Sequence, residues 1–237
     1  MLVVLPNAFG HAATNMAIDT TLLATVPEGT AVFRHYGWLE PSLTFGYSQH
    51  ISEVTKVVSE QMTLCRRPSG GGIVDHRNDW TYALVIHRGT AAAGETPTTL
   101  YGRIHQSMIA ALKTLNQPST LAPCPCQGDT SKERSDGPEQ CFVHPAINDV
   151  LSPEGRKVAG AAMKRAKRAL LVQGSVDRES FPQNFNFGAF KQAFVNELSQ
   201  TLELPLQQTQ DFRPYFDSGI IDEATRKFAD PAWTRRR

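Results

Sequence analysis

No run of apolar residues in this chain approaches the ~18–20 that a membrane-spanning helix needs, so no span is expected. The opening stretch MLVVLPNAFGHAATN lacks the basic segment of a secretory signal, and its apolar part is too short for one. Cysteine is scarce, four in 237 residues, which excludes a disulfide-built scaffold. A reducing, cytoplasmic setting is the expectation, and there a thiol stays free to react. Charge of one sign is also missing: 24 basic residues face 23 acidic ones, without the basic excess of a bulk nucleic-acid binder. Neither nucleotide fingerprint is present, whether G-x-G-x-x-G or G-x-x-x-x-G-K-[ST]. Ser69 is not the nucleophile of a G-x-S-x-G elbow, because position 67 is arginine. No internal repeat is found. What remains is an ordinary globular composition, 41% hydrophobic, with length for a well-packed core.

Periodicity predicts a helix over 14–25, where Thr14 or Asn15 can cap and Ile18 and Leu22 share a face. AVFRHY (31–36) and SLTFGY (42–47) read as the two strands of a hairpin. A helical stretch near 51–60, an extended MTLCRR and a strand TYALVIH (81–87) follow. The clearest helix spans 98–116, with Leu100, Ile104, Met108, Ala111, Leu112 and Leu115 on one stripe. Residues 117–140 turn polar and rich in turn formers, and are expected to form a flexible surface insert. Strand character resumes in AINDVL, RKVAGAAMKR and RALLVQGSV. An amphipathic helix through Phe190, Phe194, Leu198 and Leu202 comes next, then a short helix near 220–229. The mixture implies an α+β fold, a mixed sheet flanked by helices.

Three stretches carry candidate chemistry. In RRPSGGGIVDH, Gly70, Gly71 and Gly72 expose bare main chain, whose amides can form a nest for a carboxylate or phosphate oxygen. Arg66 and Arg67 would set guanidinium forks at its entrance. A flexible hairpin loop with surface arginines fits the same residue types. In EGRKVAGAAMKR, Lys157 lies in an alternating strand closed by the small residues Gly160 and Ala161, so it either points into a cleft or is simply solvated. The neighbouring Lys164, Arg165, Lys167 and Arg168 make a basic cluster suited to an acidic partner surface. The third stretch holds the thiols. Cys124, Cys126, Cys141 and His144 have an uncommon spacing for zinc. Alternatively Cys141 acts alone as a nucleophile, with His144 or His76 as base and Lys157 lowering its pKa, or it is an ordinary buried thiol.

Together, RRPSGGGIVDH, GRKVAGAAMKR and LLVQGSV resemble the biotin/lipoate protein ligase superfamily, on its lipoate side. NMAIDTTLL is similar to that family's N-terminal helix, PSLTFGYSQ to the segment before its glycine loop, and the closing W-x-x-R to the end of its catalytic domains. The resemblance implies a fold shared with class II aminoacyl-tRNA synthetases, over a single catalytic domain at 1–237. It also implies attachment of octanoyl or lipoyl groups to a lysine of a lipoyl carrier domain or glycine-cleavage H protein. Arg67, Ser69, the three glycines, His76, Gly160 and Ala161 would hold the acyl end, and Lys157 would contact the activated carboxyl group.

Two chemistries occur on that fold. Ligases use ATP and magnesium to form an acyl-adenylate, and many carry an accessory domain. Octanoyltransferases take the acyl group from acyl carrier protein through a cysteine thioester, with no cofactor and no metal. About 60 residues follow LLVQGSV, which leaves little room for an accessory domain. Cys141-Phe142 falls where one group of octanoyltransferases carries its nucleophile. The expectation is therefore an octanoyltransferase with Cys141 and Lys157 catalytic, working with neither nucleic acid nor membrane. An ATP-dependent lipoate ligase is its rival, and a non-catalytic acyl-binding or scaffold protein a further one. The family triplet S-A-Q is replaced by Ala161, Ala162 and Met163, which removes a polar side chain from the expected nucleotide contacts.

Overall fold

The computed structural model describes residues 1–58, 61–124, 145–216 and 218–237. Its strands are β1 (Leu2–Val4), β2 (Ala8–Gly10), β3 (Ala31–Trp38), β4 (Ser42–Phe45), β5 (Thr63–Arg66), β6 (Val74–Asp75), β7 (Asp79–His87), β8 (Thr120–Leu121), β9 (Val150–Leu151), β10 (Lys157–Arg165), β11 (Ala169–Asp177) and β12 (Leu206–Gln208). The helices are α1 (Ala12–Thr25), α2 (Ile51–Val54), α3 (Pro97–Thr114), α4 (Phe187–Leu202), α5 (Ser218–Ala229) and α6 (Pro231–Thr234).

The main sheet runs in the order β12-β1-β3-β7-β11-β10-β9-β8, with β2 beside β3. Pairing is parallel at β1–β12, β1–β3 and β2–β3 and antiparallel elsewhere in it. This is the expected α+β architecture with a mixed sheet. The central strands β7 and β11 are buried on both faces because helices cover both. On one face α3 and α4 bury Leu100, Ile104, Phe190, Phe194 and Leu198 against Phe33, Trp80, Tyr82 and Leu84. On the other, α1 and α5 bury Met16, Leu22 and Phe228 against Val32, Tyr36, Val85 and Leu171. None of the helices among the described residues is long and apolar enough to cross a membrane.

The expected hairpin of residues 31–36 and 42–47 is not formed. β3 joins the main sheet, whereas β4 sits centrally in a separate three-stranded sheet, β5-β4-β6. The break lies at Glu40-Pro41. The Glu40 carboxylate accepts from the Ala12 amide at 2.9 Å, at the start of α1, and the proline removes a ladder donor where the hairpin would continue. Two other expectations are revised. The helix near 51–60 is only the four residues of α2. Thr120–Leu121, inside the expected insert, form an edge strand on β9.

Candidate active site

The small sheet lies against the α1 face of the main sheet, and a mostly apolar cavity is enclosed between them. Its floor follows one row of register partners: Tyr36 on β3, Thr81 on β7, Ser175 on β11 and Gly160 on β10. Thr44, Arg67, Gly71, Val74 and His76 close it from the small-sheet side. It encloses about 420 Å³, counting its open mouth.

The glycine loop owes its shape to close approach. Gly71 has φ +85°, in the region that favours glycine. A methyl on Gly46 would sit 2.0 Å from the Gly71 carbonyl oxygen, so only glycine at 46 lets the loop pack on β4. Arg67 curls the loop from inside: Nη2 donates to Gly70 O at 3.0 Å and Gly72 O at 2.7 Å, and Nη1 donates to Thr44 Oγ1 at 2.7 Å. Only Gly71 of the three glycines lines the cavity. Ser69 does not line it; its hydroxyl donates to Gln173 Oε1 at 2.5 Å. Gln173 donates onward to Asp19, which pairs with Arg34 at 2.6 Å in the fully buried interior. The loop is thereby tied to α1 and β3.

Arg66 differs from expectation. Instead of flanking the loop entrance it is fully buried. Its guanidinium donates to Tyr47 O (2.9 Å), Gln49 O (2.6 Å) and Thr234 O (2.9 Å), and Trp233 Nε1 donates to Arg66 O at 2.9 Å. A guanidinium is tolerated in such a place because its fork can satisfy several carbonyls at once. Arg66 therefore clips the small sheet to α6, and the closing tryptophan of the W-x-x-R segment completes the clip.

His76 lines the cavity with both ring nitrogens occupied: Nδ1 meets Asp79 Oδ2 at 2.8 Å and Nε2 meets Thr44 Oγ1 at 2.7 Å. The Asp79 carboxylate can only accept, so Nδ1 donates to it, and the Thr44 hydroxyl, which accepts from Arg67, is placed to give its own proton to Nε2. Asp79 Oδ2 also accepts from Thr81 (2.8 Å) and Ser175 (2.5 Å).

Lys157 is buried, 5% exposed, and its ammonium lies 2.7 Å from Asp149 Oδ2. A methyl on Gly160 would meet Lys157 Nζ at 2.8 Å, so the bare main chain at 160 is what makes room for the ammonium directly behind the cavity wall. Asp149 is further held by the Tyr101 hydroxyl and by the Ala146 amide at 2.6 Å. Tyr101 in turn accepts from the Ala161 amide at 2.9 Å. The Ala161 amide is thus engaged by α3. Beside this group His105 is fully buried, and burial pushes its pKa down to about 4.

Cys141, Cys126 and His144 lie outside the described residues, as does most of the 117–140 stretch. Of the remaining thiols, Cys124 is exposed. Cys65 is buried on β5, and burial pushes its pKa up to about 12, which makes it inert at neutral pH. Sequence reasoning missed Asp149, Tyr101, Thr44, Asp79, Gln173 and Gly46. Gly46 carried a usable signal, a lone glycine at the end of a strand pattern.

Outside the loop, cations gather on Tyr47. The Arg236 guanidinium is 4.4 Å and Arg237 5.9 Å from its ring, and Lys164 Nζ is 5.6 Å from it while donating to Pro68 O at 3.3 Å. None of the three has an acidic partner among the described residues.

An octanoyltransferase LipM of Geobacillus kaustophilus is 31% identical over 169 residues, which are 69% of this chain and 60% of that relative's length. A second octanoyltransferase LipM, of Halalkalibacterium halodurans, is 29% identical over 229 residues, covering 88% of this chain and 83% of the relative. Among solved structures, a T. acidophilum protein proposed to be a lipoate protein ligase, with lipoic acid bound, superposes with a TM-score of 0.76. It is 16% identical and covers 99% of this chain and 98% of its own, a likeness of fold. The profile of the lipoyl protein ligase A/B catalytic domain matches residues 11–198, a span that holds Asp19, the glycine loop, Asp149 and Lys157. The chain belongs to the lipoyl protein ligase A/B catalytic domain family.

Proposed function

We propose that this protein is an octanoyltransferase of lipoate assembly. It would move an octanoyl group from acyl carrier protein, through a thioester on Cys141, to a lysine of a lipoyl carrier domain or H protein. The observation that carries the reading is the meeting of a bare main-chain loop and a buried ammonium around one apolar cavity. Gly71 supplies one rim, and Lys157 stands behind the opposite wall at Gly160. An apolar cavity suits an octanoyl tail, and a fixed cation with main-chain donors suits the carbonyl oxygen as it gains charge.

In the reaction proposed, the Cys141 thiolate attacks the thioester carbonyl carbon of the donor. The tetrahedral intermediate carries its negative charge on the former carbonyl oxygen, facing the glycine loop and Lys157. It collapses by expelling the carrier's thiolate, leaving octanoyl on Cys141. The neutral amine of the acceptor lysine attacks that second thioester, loses a proton, and the Cys141 thiolate leaves. One difficult acyl transfer becomes two easier ones. The cations about Tyr47, which have no acidic partner among the described residues, support a donor that brings anionic groups to the loop, as a carrier protein with a phosphate-linked thiol arm does.

The test is intact-mass analysis of an apo-lipoyl domain after incubation with two alternative donors. Wild type should add one octanoyl group from octanoyl-acyl carrier protein and none from octanoate with ATP and magnesium. Cys141→Ser should lose transfer and fail to accumulate the acyl-enzyme. Acylation from octanoate and ATP that survives in Cys141→Ala would instead identify an ATP-dependent ligase.

A further inference from the structure

The cavity beside the glycine loop does not end in solid protein. Tyr36, Trp38 and His76 form its inner wall, and the same three side chains line a second hollow behind them. That hollow is larger, about 990 Å³ with its open mouth, and Phe9 and Leu39 border it at 72% and 58% exposure. The partition between the two spaces is thin. Its core is one stacked pair, the Trp38 and His76 rings, with centroids 3.9 Å apart and planes 23° from parallel.

The partition is also fixed in position. Asp79 and Thr44 hold His76 by both nitrogens. Trp38 Nε1 donates to Thr81 Oγ1 at 2.9 Å, and Thr81 donates to Asp79. The wall therefore cannot swing aside without breaking hydrogen bonds among buried groups, which is costly. Of the pair, His76 belongs to the network that shapes the glycine loop. Trp38 is half-buried and hangs on that network by a single hydrogen bond, so its ring is the replaceable part of the wall.

We infer that Trp38, stacked on His76, sets the maximum length of acyl chain the enzyme accepts. A chain entering beside Gly71 runs along the row Gly160, Ser175, Thr81 toward Tyr36 and meets the indole. Removing the indole joins the two spaces and gives a longer tail a path toward the apolar side chains of Phe9 and Leu39. This rests on the acyl-transfer reading above, and the experiment separates the two.

Wild type, Trp38→Ala and Trp38→Leu are assayed with acyl carrier protein loaded with hexanoyl to tetradecanoyl chains, transfer being read by intact mass. Binding of free octanoate and dodecanoate to each protein is measured in parallel by calorimetry. In Trp38→Ala the ratio of kcat/KM for dodecanoyl over octanoyl should rise by about tenfold or more, since one methylene in an apolar pocket is worth about tenfold or more in selectivity. Trp38→Leu should give a smaller rise, and it carries the test should the alanine variant fail to fold. The binding preference should move the same way. Chain-length ratios that stay at wild-type values in a folded, active variant overturn the inference. A shifted binding preference in a protein that transfers nothing from any donor would sink the transferase reading and keep the partition.

Discussion

An ammonium as deeply buried as that of Lys157 persists only where a counter-charge and hydrogen bonds replace its lost hydration. Asp149 and the bare main chain of Gly160 supply that setting, so the lysine and the carboxylate stand or fall together. Lys157→Met should cost about 3–5 kcal/mol of stability, because it strands Asp149 in the interior. The double variant Lys157→Met, Asp149→Asn should recover most of that loss and none of the octanoyl transfer. Denaturant unfolding and the mass assay read the two effects separately, and a single variant as stable as wild type would refute the coupling. Lys157 was singled out by the resemblance of its strand to the family pattern, since its residue types alone fit a solvated strand lysine equally well. Asp149 was not. Its role arises when the short pair β9–β10 folds back and brings residue 149 beside residue 157, an encounter that no spacing announces. The arginines divide similarly. Their types pointed to an oxyanion, whereas burial gives Arg66 to α6 and the Nη2 of Arg67 to the carbonyls of the glycine loop itself.

At the scale of elements, the long helices were easy to read because each needs only its own 3.6-residue stripe, whereas the one expected near 51–60 is reduced to α2. α1 and α3 appear within two residues of the expected bounds, and α4 carries the expected stripe from Phe190 to Leu202. Partners of strands were harder, as the β3–β4 hairpin shows: alternation says that a segment is a strand and not which sheet it joins. The glycine loop is likewise a product of two elements, since its path depends on Gly46 at the end of β4. Gly46→Ala should force the Gly70–Gly71 main chain outward, lowering transfer by more than about tenfold and speeding amide exchange across the loop, as misplacement of reacting groups by an ångström costs roughly two orders of magnitude. Gly94→Ala, where a methyl meets nothing within 4 Å, is the matched control and should change neither. Equal effects of the two substitutions would refute the packing argument.

For the molecule as a whole, acid is the expected weakness. His35 and His105 are both pushed down to about 4 by burial. In the unfolded chain each binds a proton near its ordinary value of about 6.5. Between those values the unfolded state holds more protons than the folded one, so stability falls as pH drops from about 6.5 to about 4 and this contribution levels off below. The melting temperature should track that window, with a shallower slope in the double variant His35→Gln, His105→Gln; matching slopes would exclude the histidines as the source. Composition foretold the broad class of this molecule, and motif order its family. The layering of a small sheet over a larger one, which creates the cavity, was not visible, because it depends on where β4, β5 and β6 dock.

The clip between Arg66 and α6 has a consequence in time. Its hydrogen bonds join residues 167 and 168 positions apart, among the most distant closures in the chain, and such closures form late because chain entropy opposes them until much else is in place. Helices and central strands can mature while the nascent polypeptide is still emerging from the ribosome. The small sheet that carries the glycine loop is fastened only when Trp233 and Thr234 arrive, so the main sheet can take shape before the cavity beside it is closed.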